Sequence, residues 1–176
     1  MLKLNLGCGK AKCEGYINVD IEPSVNPDLV CDFRKGLPFE DNSVDNIILI
    51  HTIEHIEEKF HRQLLMHIQR VLKKDCYFIC AYPEFTRCAQ NYISNYKGMR
   101  DFWKHTIYGR QLYPSDYHVA LMDTKYFTLL LAECGFINIQ SKPEPPPEDH
   151  NTILVCQKYD TVLETKDDLY RRELFA

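Results

Sequence analysis

The sequence predicts an α/β fold with a mainly parallel sheet and an antiparallel last strand. Short apolar runs alternate with segments of helical spacing along the chain, as in sheets whose strands are joined by right-handed crossovers. The run Ile47-Ile48-Leu49-Ile50 is uninterrupted, which is typical of a strand buried on both faces. The last two apolar runs, 136–141 and 152–157, are joined by a link too short for a crossover helix, so we expect them to pair antiparallel.

The first half of the chain contains four predicted strands and one helix. Apolar, strand-like runs end at turn residues and predict strands over 2–6, 16–20, 29–32 and 46–50. Residues 57–73 carry apolar side chains at helical spacing and predict a helix, whose C-terminal end would be suited by the charges of Lys73 and Lys74.

The second half repeats this alternation after a long interruption. A strand is predicted over 76–81, stopped by Pro83, and an amphipathic helix over 124–134, closed by Gly135. Residues 82–123 between them are too many for a simple connection, so we expect helices there and a functional role. The charge-rich tail, 159–176, is expected to be a terminal helix or disordered.

Length and composition predict one soluble domain. The 176 residues suit a single domain over 1–158, with 82–123 as an insert and 159–176 as a tail. The sequence shows no membrane-spanning run and no secretion signal, and its eight cysteines, without a Cys-x-x-Cys pair, are expected to be buried thiols in a reducing cytoplasm. A net charge of −4 argues against broad nucleic-acid binding.

A glycine turn after the first strand is the strongest functional signal. The strand runs into Gly7-Cys8-Gly9, and the second strand ends on Asp20. Glycines allow a sharp turn and close approach of a ligand to the main chain, and a carboxylate at the neighbouring strand end can accept from both hydroxyls of a ribose. The pattern predicts a nucleoside-binding crevice. A purely structural turn and a solvated acid are the alternative interpretations.

The same motifs resemble those of class I S-adenosylmethionine-dependent methyltransferases of the small type 11 kind, which have a Rossmann-like fold. In order along residues 2–157, they are Leu4-Asn5-Leu6-Gly7-Cys8-Gly9, Asp20, Leu37-Pro38-Phe39 with Asp45, His51-Thr52-Ile53-Glu54-His55, Arg70-Val71-Leu72-Lys73 and Gly135-Phe136. The chain departs from the family at Asn5, where Asp or Glu is usual. The link from Gly9 to Asp20 is also short, so we expect a turn there in place of a full helix.

The resemblance implies a set of residues that bind S-adenosyl-L-methionine: Asn5, Gly7, Cys8, Gly9, Asp20, Ile21, Asp32, Phe33 and His51. The two glycines would line the amino-acid and ribose portions, Asp20 would hold the ribose hydroxyls, and Ile21 would pack on the adenine. Asp32 would accept from the adenine amino group beside Phe33. His51 would face the sulfonium region. The alternative interpretation of Asp32 is a solvent-exposed acid at a strand end.

Three histidines are candidates for removing a proton from the methyl acceptor: His51, His55 and His118. A histidine titrates near neutral pH and suits this task; the sequence does not rank the three. His51 to His55 also spell H-x-x-E-H, an inverted zinc-protease motif. That chemistry needs both histidines on one helix face, whereas His51 ends a predicted strand, so we expect no metal site.

The insert concentrates aromatic and basic side chains. Its Tyr108-Gly109-Arg110-Gln111 and Tyr117-His118 stretches resemble those of small methyltransferases, which makes Tyr108, Arg110, Tyr117 and His118 the candidates for acceptor binding. Aromatic faces beside cations suit a sugar, an aromatic or an anionic substrate. A satellite core with solvated charges is the alternative.

The predicted function is therefore transfer of a methyl group from S-adenosylmethionine to an O or N atom of a small molecule, sugar or glycan precursor. A catalytically silent cofactor-binding or partner-binding module is an alternative, kept open by Asn5. A nicotinamide-dependent oxidoreductase is disfavoured because Lys12 stands where that signature has its third glycine.

Overall fold

A computed structural model of the chain describes residues 1–112, 116–145 and 150–159. The strands and helices, in chain order, are β1 (Lys3–Leu6), β2 (Ile17–Asp20), β3 (Leu29–Val30), β4 (Val44–Ile50), α1 (Glu58–Val71), β5 (Leu72–Pro83), α2 (Phe85–Ile93), α3 (Arg100–Tyr108), α4 (Thr124–Glu133), β6 (Phe136–Pro143) and β7 (Asn151–Lys158). Short 3-10 helices cover Pro23–Val25, Ile53–His55 and Tyr96–Gly98. The predicted tail lies outside the described residues, apart from Tyr159.

The strands form one seven-stranded sheet in the order β3-β2-β1-β4-β5-β7-β6. The pairs from β3 through β5 are parallel, whereas β7 lies between β5 and β6 and is antiparallel to both. The prediction of a mainly parallel sheet with an antiparallel last strand is confirmed. Because consecutive parallel strands begin at the same edge, the carboxyl ends of β1, β2 and β4 also share one edge.

The core lies between the sheet and the helices that cover it. Helix α1 buries Leu64, Leu65 and Ile68 completely, and Phe127 of α4 is also fully buried. The spacing of these side chains on α1 follows the helical period that predicted the element. Burial of each such side chain contributes about 1.5–3 kcal/mol.

Strand β5 begins earlier than the sequence indicated, and the helix before it is shorter. Leu72 pairs with Val44 of β4, so the chain passes from α1 into β5 without a loop. Lys73 therefore belongs to the strand, and its Nζ donates to Asp45 Oδ1 at 2.8 Å instead of interacting with the end of the helix dipole. Strand pairing at Val44 overrides the helical pattern here.

The insert contains two helices, α2 and α3, as expected for a connection of this length. Trp103 of α3 is 4% exposed, and its ring contacts those of Phe102 and His150. Part of the aromatic content of the insert thus forms a small local core. Residues 113–115, which include one of its tyrosines, lie outside the described residues.

Residues 7–16 between β1 and β2, all within the described part of the chain, form turns without a helix. The sequence expectation that only a turn fits here is confirmed. The consequence is that this edge of the sheet carries a loop whose shape depends on hydrogen bonds from side chains.

Candidate cofactor and acceptor site

The glycine turn after β1 has a close neighbour at Gly7. Gly7 has φ +66°, a left-handed conformation that favours glycine. A Cβ at this position would lie 2.3 Å from Cγ2 of Thr52. Val19 O accepts from the N–H groups of Gly7 (2.8 Å) and Cys8 (3.1 Å). Gly7 is therefore required by the packing of Thr52 against the turn, independently of any ligand.

Gly9 stands in a different environment. Its φ is +49°, and a Cβ built on it would meet nothing within 4 Å. Its N–H donates to Asp20 Oδ2 at 2.7 Å, while Asp20 Oδ1 accepts from the N–H of Glu22 at 2.9 Å. Each carboxylate oxygen can accept more than one hydrogen bond. The structure thus brings the predicted glycine and acid together beside open space.

Asn5 is buried behind this turn. Its Nδ2 donates to Ala11 O (3.1 Å) and to Asn18 Oδ1 (3.0 Å). Asn18 Oδ1 also accepts from the N–H of Cys13 (2.8 Å), and Asn18 Nδ2 donates to Asp28 Oδ2 (2.8 Å). The amide of Asn5 therefore shapes the loop, and direct contact with the cofactor stays a prediction.

Asn18 and Asp28 were not predicted from the sequence. Hydrogen bonds from Asn18 hold the pKa of the Asp28 carboxyl below its usual value. The sequence showed only that Asn18 is a polar residue within the short apolar run of β2. Its role follows from the loop residues to which it hydrogen-bonds, and these are known only from the structure.

Cys8 and Ile21 lie beside the turn. Cys8 is 4% exposed, and burial is the main cause that raises the pKa of its thiol, so it stays uncharged at neutral pH. Ile21 is exposed and follows Asp20 directly, which leaves its side chain available for the predicted contact with adenine.

Asp32 and Phe33 follow β3 in less open positions. Asp32 accepts two hydrogen bonds from the Arg34 guanidinium, at 2.7 Å from Nε and 3.0 Å from Nη2. The Arg34 hydrogen bond is the main cause that lowers the pKa of the Asp32 carboxyl. Phe33 is 6% exposed and belongs to the hydrophobic core. Contacts of both residues with adenine stay predictions, and Asp32 would share its carboxylate between Arg34 and the ligand.

The chain leaves β4 through a strained residue. His51 has φ +49°, and its N–H donates to Ala81 O at 2.8 Å. Its Nδ1 lies 3.6 Å from Glu54 Oε1 and its Nε2 lies 4.0 Å from Glu144 Oε1. His51 is thus flanked by two carboxylates at the edge where β1 and β4 end. Because Thr52 contacts Gly7, this segment adjoins the glycine turn.

The second part of the H-x-x-E-H motif forms a 3-10 helix, Ile53–His55, separate from β4. The two histidines of the motif therefore do not share one helix face. Glu54 is 2% exposed, and its Oε2 is buried with no hydrogen-bond partner among the residues that the structure describes. His55 Nδ1 donates to Tyr117 O at 3.0 Å.

The loop that follows α3 folds back on itself and brings the insert against this 3-10 helix. Tyr108 O accepts from the N–H of His118 at 3.1 Å. A Cβ on Gly109, whose φ is +79°, would lie 1.9 Å from the carbonyl oxygen of Asp116. Further along, the N–H groups of Val119 and Ala120 donate to Glu54 O. Gly109 therefore permits the loop to close and dock on the end of β4.

His118 meets His55 as a result of this docking. The ring centroids lie 4.8 Å apart in an edge-to-face arrangement. Burial is the main cause that lowers the pKa of His118, whereas the nearby carboxylate of Glu54 acts to raise it. The structure thus brings His118 beside Glu54 and His55, which lie more than sixty residues earlier in the sequence.

The remaining predicted acceptor residues lie at the surface of the insert. Tyr108 is 57% exposed, Tyr117 is 46% exposed, and Arg110 is also exposed. They lie in or beside the loop that carries His118, but their side chains are not part of the histidine cluster. Their role in acceptor binding stays a prediction.

Besides Asn18 and Asp28, the sequence predictions missed three residues at the site: Thr52, Glu54 and Glu144. Thr52 and Glu54 were noted in the sequence only as positions of the H-x-x-E-H motif, with no role of their own. Glu144 lies between β6 and β7, and nothing in the sequence indicated that it would approach His51.

Comparisons with known proteins agree with this architecture. Residues 4–80 match the family model described as "Methyltransferase domain". A methyltransferase dependent on S-adenosylmethionine (SAM) from Archaeoglobus fulgidus is 16% identical with a TM-score of 0.61, covering 89% of this chain and 85% of its own. A second, from Methanosarcina mazei, is 16% identical with a TM-score of 0.64, covering 90% and 92%. Residues 4–80 of this chain are thus similar to a methyltransferase domain, and the two solved structures share its fold.

A third similar structure is a SAM-dependent methyltransferase from Thermotoga maritima described as a possible histamine N-methyltransferase. It is 17% identical with a TM-score of 0.58, covering 90% of this chain and 82% of its own. No curated protein sequence matches the chain. At these identities the structural neighbours show the fold, while the family match lies on the half that contains the glycine turn.

The two archaeal structures are described as dependent on S-adenosylmethionine. The residues present fit it: the glycine turn leaves open space at Gly9, and a carboxylate stands beside that space at Asp20. Within the described ranges, no helix is long and apolar enough to cross a bilayer.

Proposed function

We propose that this protein transfers a methyl group from S-adenosylmethionine to an oxygen or nitrogen atom of a small molecule, sugar or glycan precursor. The observation that carries the proposal is the proximity of the glycine turn to a histidine-rich strand end. Thr52 packs on Gly7, His51 precedes it, and Glu54 and His55 follow within three residues. The residues predicted to bind the cofactor and those predicted to accept a proton thus lie at one edge of the sheet.

When bound, S-adenosylmethionine supplies an activated methyl group on a sulfonium centre. The protein must hold the cofactor, orient the acceptor and remove its proton. Gly9 offers bare main chain, Asp20 offers acceptor oxygens for a ribose, and Ile21 offers an apolar surface beside them. Asn5 supports these groups by fixing the loop.

Among the predicted proton acceptors, the geometry favours His51. The carboxylates of Glu54 and Glu144 flank its ring and would stabilise the positive charge that it carries after taking a proton from the acceptor. His55 directs its Nδ1 to the Tyr117 carbonyl, and burial lowers the pKa of His118. Their predicted role as bases has less support from these contacts.

We propose that residues 82–123 form the acceptor side of a domain spanning 1–158. The exposed rings of Tyr108 and Tyr117 and the guanidinium of Arg110 provide stacking and charge for a polar, ring-containing or anionic acceptor. The description of the Thermotoga neighbour, a possible histamine N-methyltransferase, is in line with a small acceptor. All eight cysteines are free thiols, which favours a reducing, cytoplasmic location.

The cofactor half of this proposal is tested by Asp20→Ala. Loss of charge-assisted hydrogen bonds to the ribose should weaken S-adenosylhomocysteine binding by about 1.5–3 kcal/mol, roughly tenfold to more than a hundredfold in Kd. Titration calorimetry measures the affinity, and Glu14→Ala, an exposed acid in the neighbouring loop, is the matched control. Equal affinities for S-adenosylhomocysteine in Asp20→Ala and the wild type would reject the ribose assignment.

The acceptor half is tested by His51→Asn and Arg110→Ala. Arg110→Ala should keep the affinity for S-adenosylhomocysteine within about threefold, below the change expected from losing one ordinary hydrogen bond. His51→Asn should do so too, because S-adenosylhomocysteine lacks the sulfonium that His51 is predicted to face. Turnover should fall in His51→Asn through lost proton removal and in Arg110→Ala through lost positioning. Methyl transfer from labelled cofactor to panels of hydroxyl and amine acceptors provides the readout. Cofactor binding without transfer to any acceptor class would favour the silent module.

A further inference from the structure

Three side chains with metal-binding atoms converge where the insert meets the end of β4. Glu54, His55 and His118 each offer one ligand-type atom, and these atoms all lie within 4.8 Å of one another. Two come from the 3-10 helix after β4 and one from the insert. His51, the first histidine of the H-x-x-E-H motif, is outside this set, so the set differs from that of an inverted zinc-protease site.

The buried carboxylate of Glu54 is the second observation. Only 2% of Glu54 is exposed, and its Oε2 has no hydrogen-bond partner within the described part of the chain. The neighbouring Nδ1 of His51 lies 3.6 Å from Oε1, which is longer than a hydrogen bond. A buried carboxylate is costly without a partner that balances its charge, and a bound cation provides one.

His55 is oriented as the histidine ligands of metals commonly are. Its Nδ1 donates to Tyr117 O at 3.0 Å, and the ring of His118 lies edge-to-face against its ring with centroids 4.8 Å apart. A ring nitrogen that donates to a carbonyl leaves the other nitrogen with a free lone pair and fixes the direction in which it points. The insert thereby holds the ring of His55 in place and carries His118 beside it.

We propose that Glu54, His55 and His118 bind one divalent transition-metal ion. Two imidazole nitrogens and one carboxylate oxygen suit ions such as Zn²⁺, Fe²⁺, Co²⁺ or Mn²⁺, whereas Mg²⁺ and Ca²⁺ prefer oxygen ligands throughout. Ligand atoms about 2.1 Å from a metal lie about 3.4 Å apart in tetrahedral geometry. Binding should therefore draw the three side chains closer by about an ångström.

The ion would join the insert to the strand end that adjoins the glycine turn. With three protein ligands, coordination positions remain for oxygen atoms of the acceptor. A coordinated hydroxyl loses its proton more readily. This role toward the acceptor rests on the proposed function, whereas binding of the ion does not. An acceptor with a chelating group, such as adjacent hydroxyls or a hydroxyl beside a carboxylate, would fit best.

The experiment uses the full chain, stripped with a chelator and titrated separately with Mn²⁺, Co²⁺ and Zn²⁺ in a calorimeter. We expect one ion per chain for at least one of the three, and absorption bands of bound Co²⁺ that report nitrogen and oxygen ligands. Glu54→Gln and His118→Asn should each reduce the affinity at least tenfold. The controls are His105→Asn and Glu57→Gln, exposed residues outside the cluster, which should bind as the wild type does.

Thermal melting and S-adenosylhomocysteine binding establish that each variant is folded; if Glu54→Gln does not fold, His118→Asn decides. Absence of 1:1 binding tighter than about 100 μM for all three ions, or unchanged affinity in the folded variants, would overturn the inference. Methyl transfer is assayed separately with and without chelator. A protein that binds metal but transfers no methyl group rejects the proposed function alone. A protein that methylates acceptors without binding metal rejects the metal site alone.

Discussion

Gly7 and Gly9 stand two residues apart in one turn, yet their surroundings impose different requirements. Thr52 occupies the space that a Cβ on Gly7 would need, whereas the space beside Gly9 is open. The sequence presented both as members of one motif. Packing accounts for Gly7, whereas ligand approach at Gly9 stays a prediction.

Alanine substitutions should separate these two roles. Gly7→Ala should destabilise the protein severely, because the new Cβ would lie 2.3 Å from a side chain held between β4 and the turn. Gly9→Ala adds left-handed strain of about 1–2 kcal/mol and should remain folded while losing affinity for S-adenosylhomocysteine. Thermal melting and calorimetry measure the two effects. A Gly9→Ala variant with wild-type affinity would place the cofactor elsewhere.

Asn5 offers a second prediction at the residue scale, because the family usually has an acid at this position. Its amide donates to Ala11 O and Asn18 Oδ1. A carboxylate at this position would place an oxygen that cannot donate against both of these acceptor oxygens. Turning the Asn18 amide around would lose its hydrogen bond to Asp28. We expect Asn5→Asp to lower the free energy of unfolding by about 1–3 kcal/mol, as measured by urea denaturation. Asn5→Ala is the companion variant, since it removes the donor without adding charge; a more stable Asn5→Asp protein would contradict the network.

At the scale of elements, the end of β4 and the insert depend on each other. The 3-10 helix Ile53–His55 receives hydrogen bonds from Val119 and Ala120, and His55 donates to Tyr117. The sequence indicated a functional insert but not this docking. The encounter of His55 with His118 depends on the path of the whole insert, which no local pattern encodes.

Gly109→Ala should disturb this docking selectively. The Cβ would overlap the Asp116 carbonyl, so the loop cannot close and His118 should move away from His55. We expect S-adenosylhomocysteine affinity to stay within about threefold, because β1 and β2 are untouched, while methyl transfer falls at least tenfold. Gly98→Ala, at another left-handed glycine of the insert with open space around it, is the matched control. Equal losses of transfer in both variants would show general strain in the insert and contradict a specific role of the closure.

At the scale of the whole molecule, the sequence predicted the sheet better than the contacts between distant segments. Strand periods and the short last link were sufficient for the fold, because they depend on local patterns and on chain length. The early start of β5 was missed because Leu72 pairs with Val44, a partner distant in sequence. Glu144 beside His51 was missed for the same reason.

The stability of the molecule should depend on pH through His61, which joins α1 to the segment after β4. His61 is fully buried, its Nε2 donates to Ile56 O at 2.8 Å, and its ring contacts that of Phe127. Burial lowers the pKa of His61 despite the nearby charge of Glu58. Below about pH 6.5, His61 therefore binds a proton in the unfolded chain but stays neutral in the folded chain.

We thus expect the free energy of unfolding to fall as the pH drops from about 7 to 5, by at most about 1.4 kcal/mol per pH unit for this one group. His61→Gln should flatten that dependence even though it lowers stability overall. The exposed His105→Gln should leave the dependence as it is. Urea denaturation at several pH values provides the measurement, and an identical pH dependence in the wild type and His61→Gln would exclude His61 as its source.

The position of β7 between β5 and β6 has a consequence for synthesis of the protein on the ribosome. Every strand that contributes to the cofactor edge emerges before β7 (Asn151–Lys158), yet β5 has an unpaired edge until β7 arrives. An exposed strand edge promotes association with other chains, and pairing over long sequence separations is slow. A nascent chain of this protein should therefore keep the edge of β5 exposed until β7 has left the ribosome and paired with it.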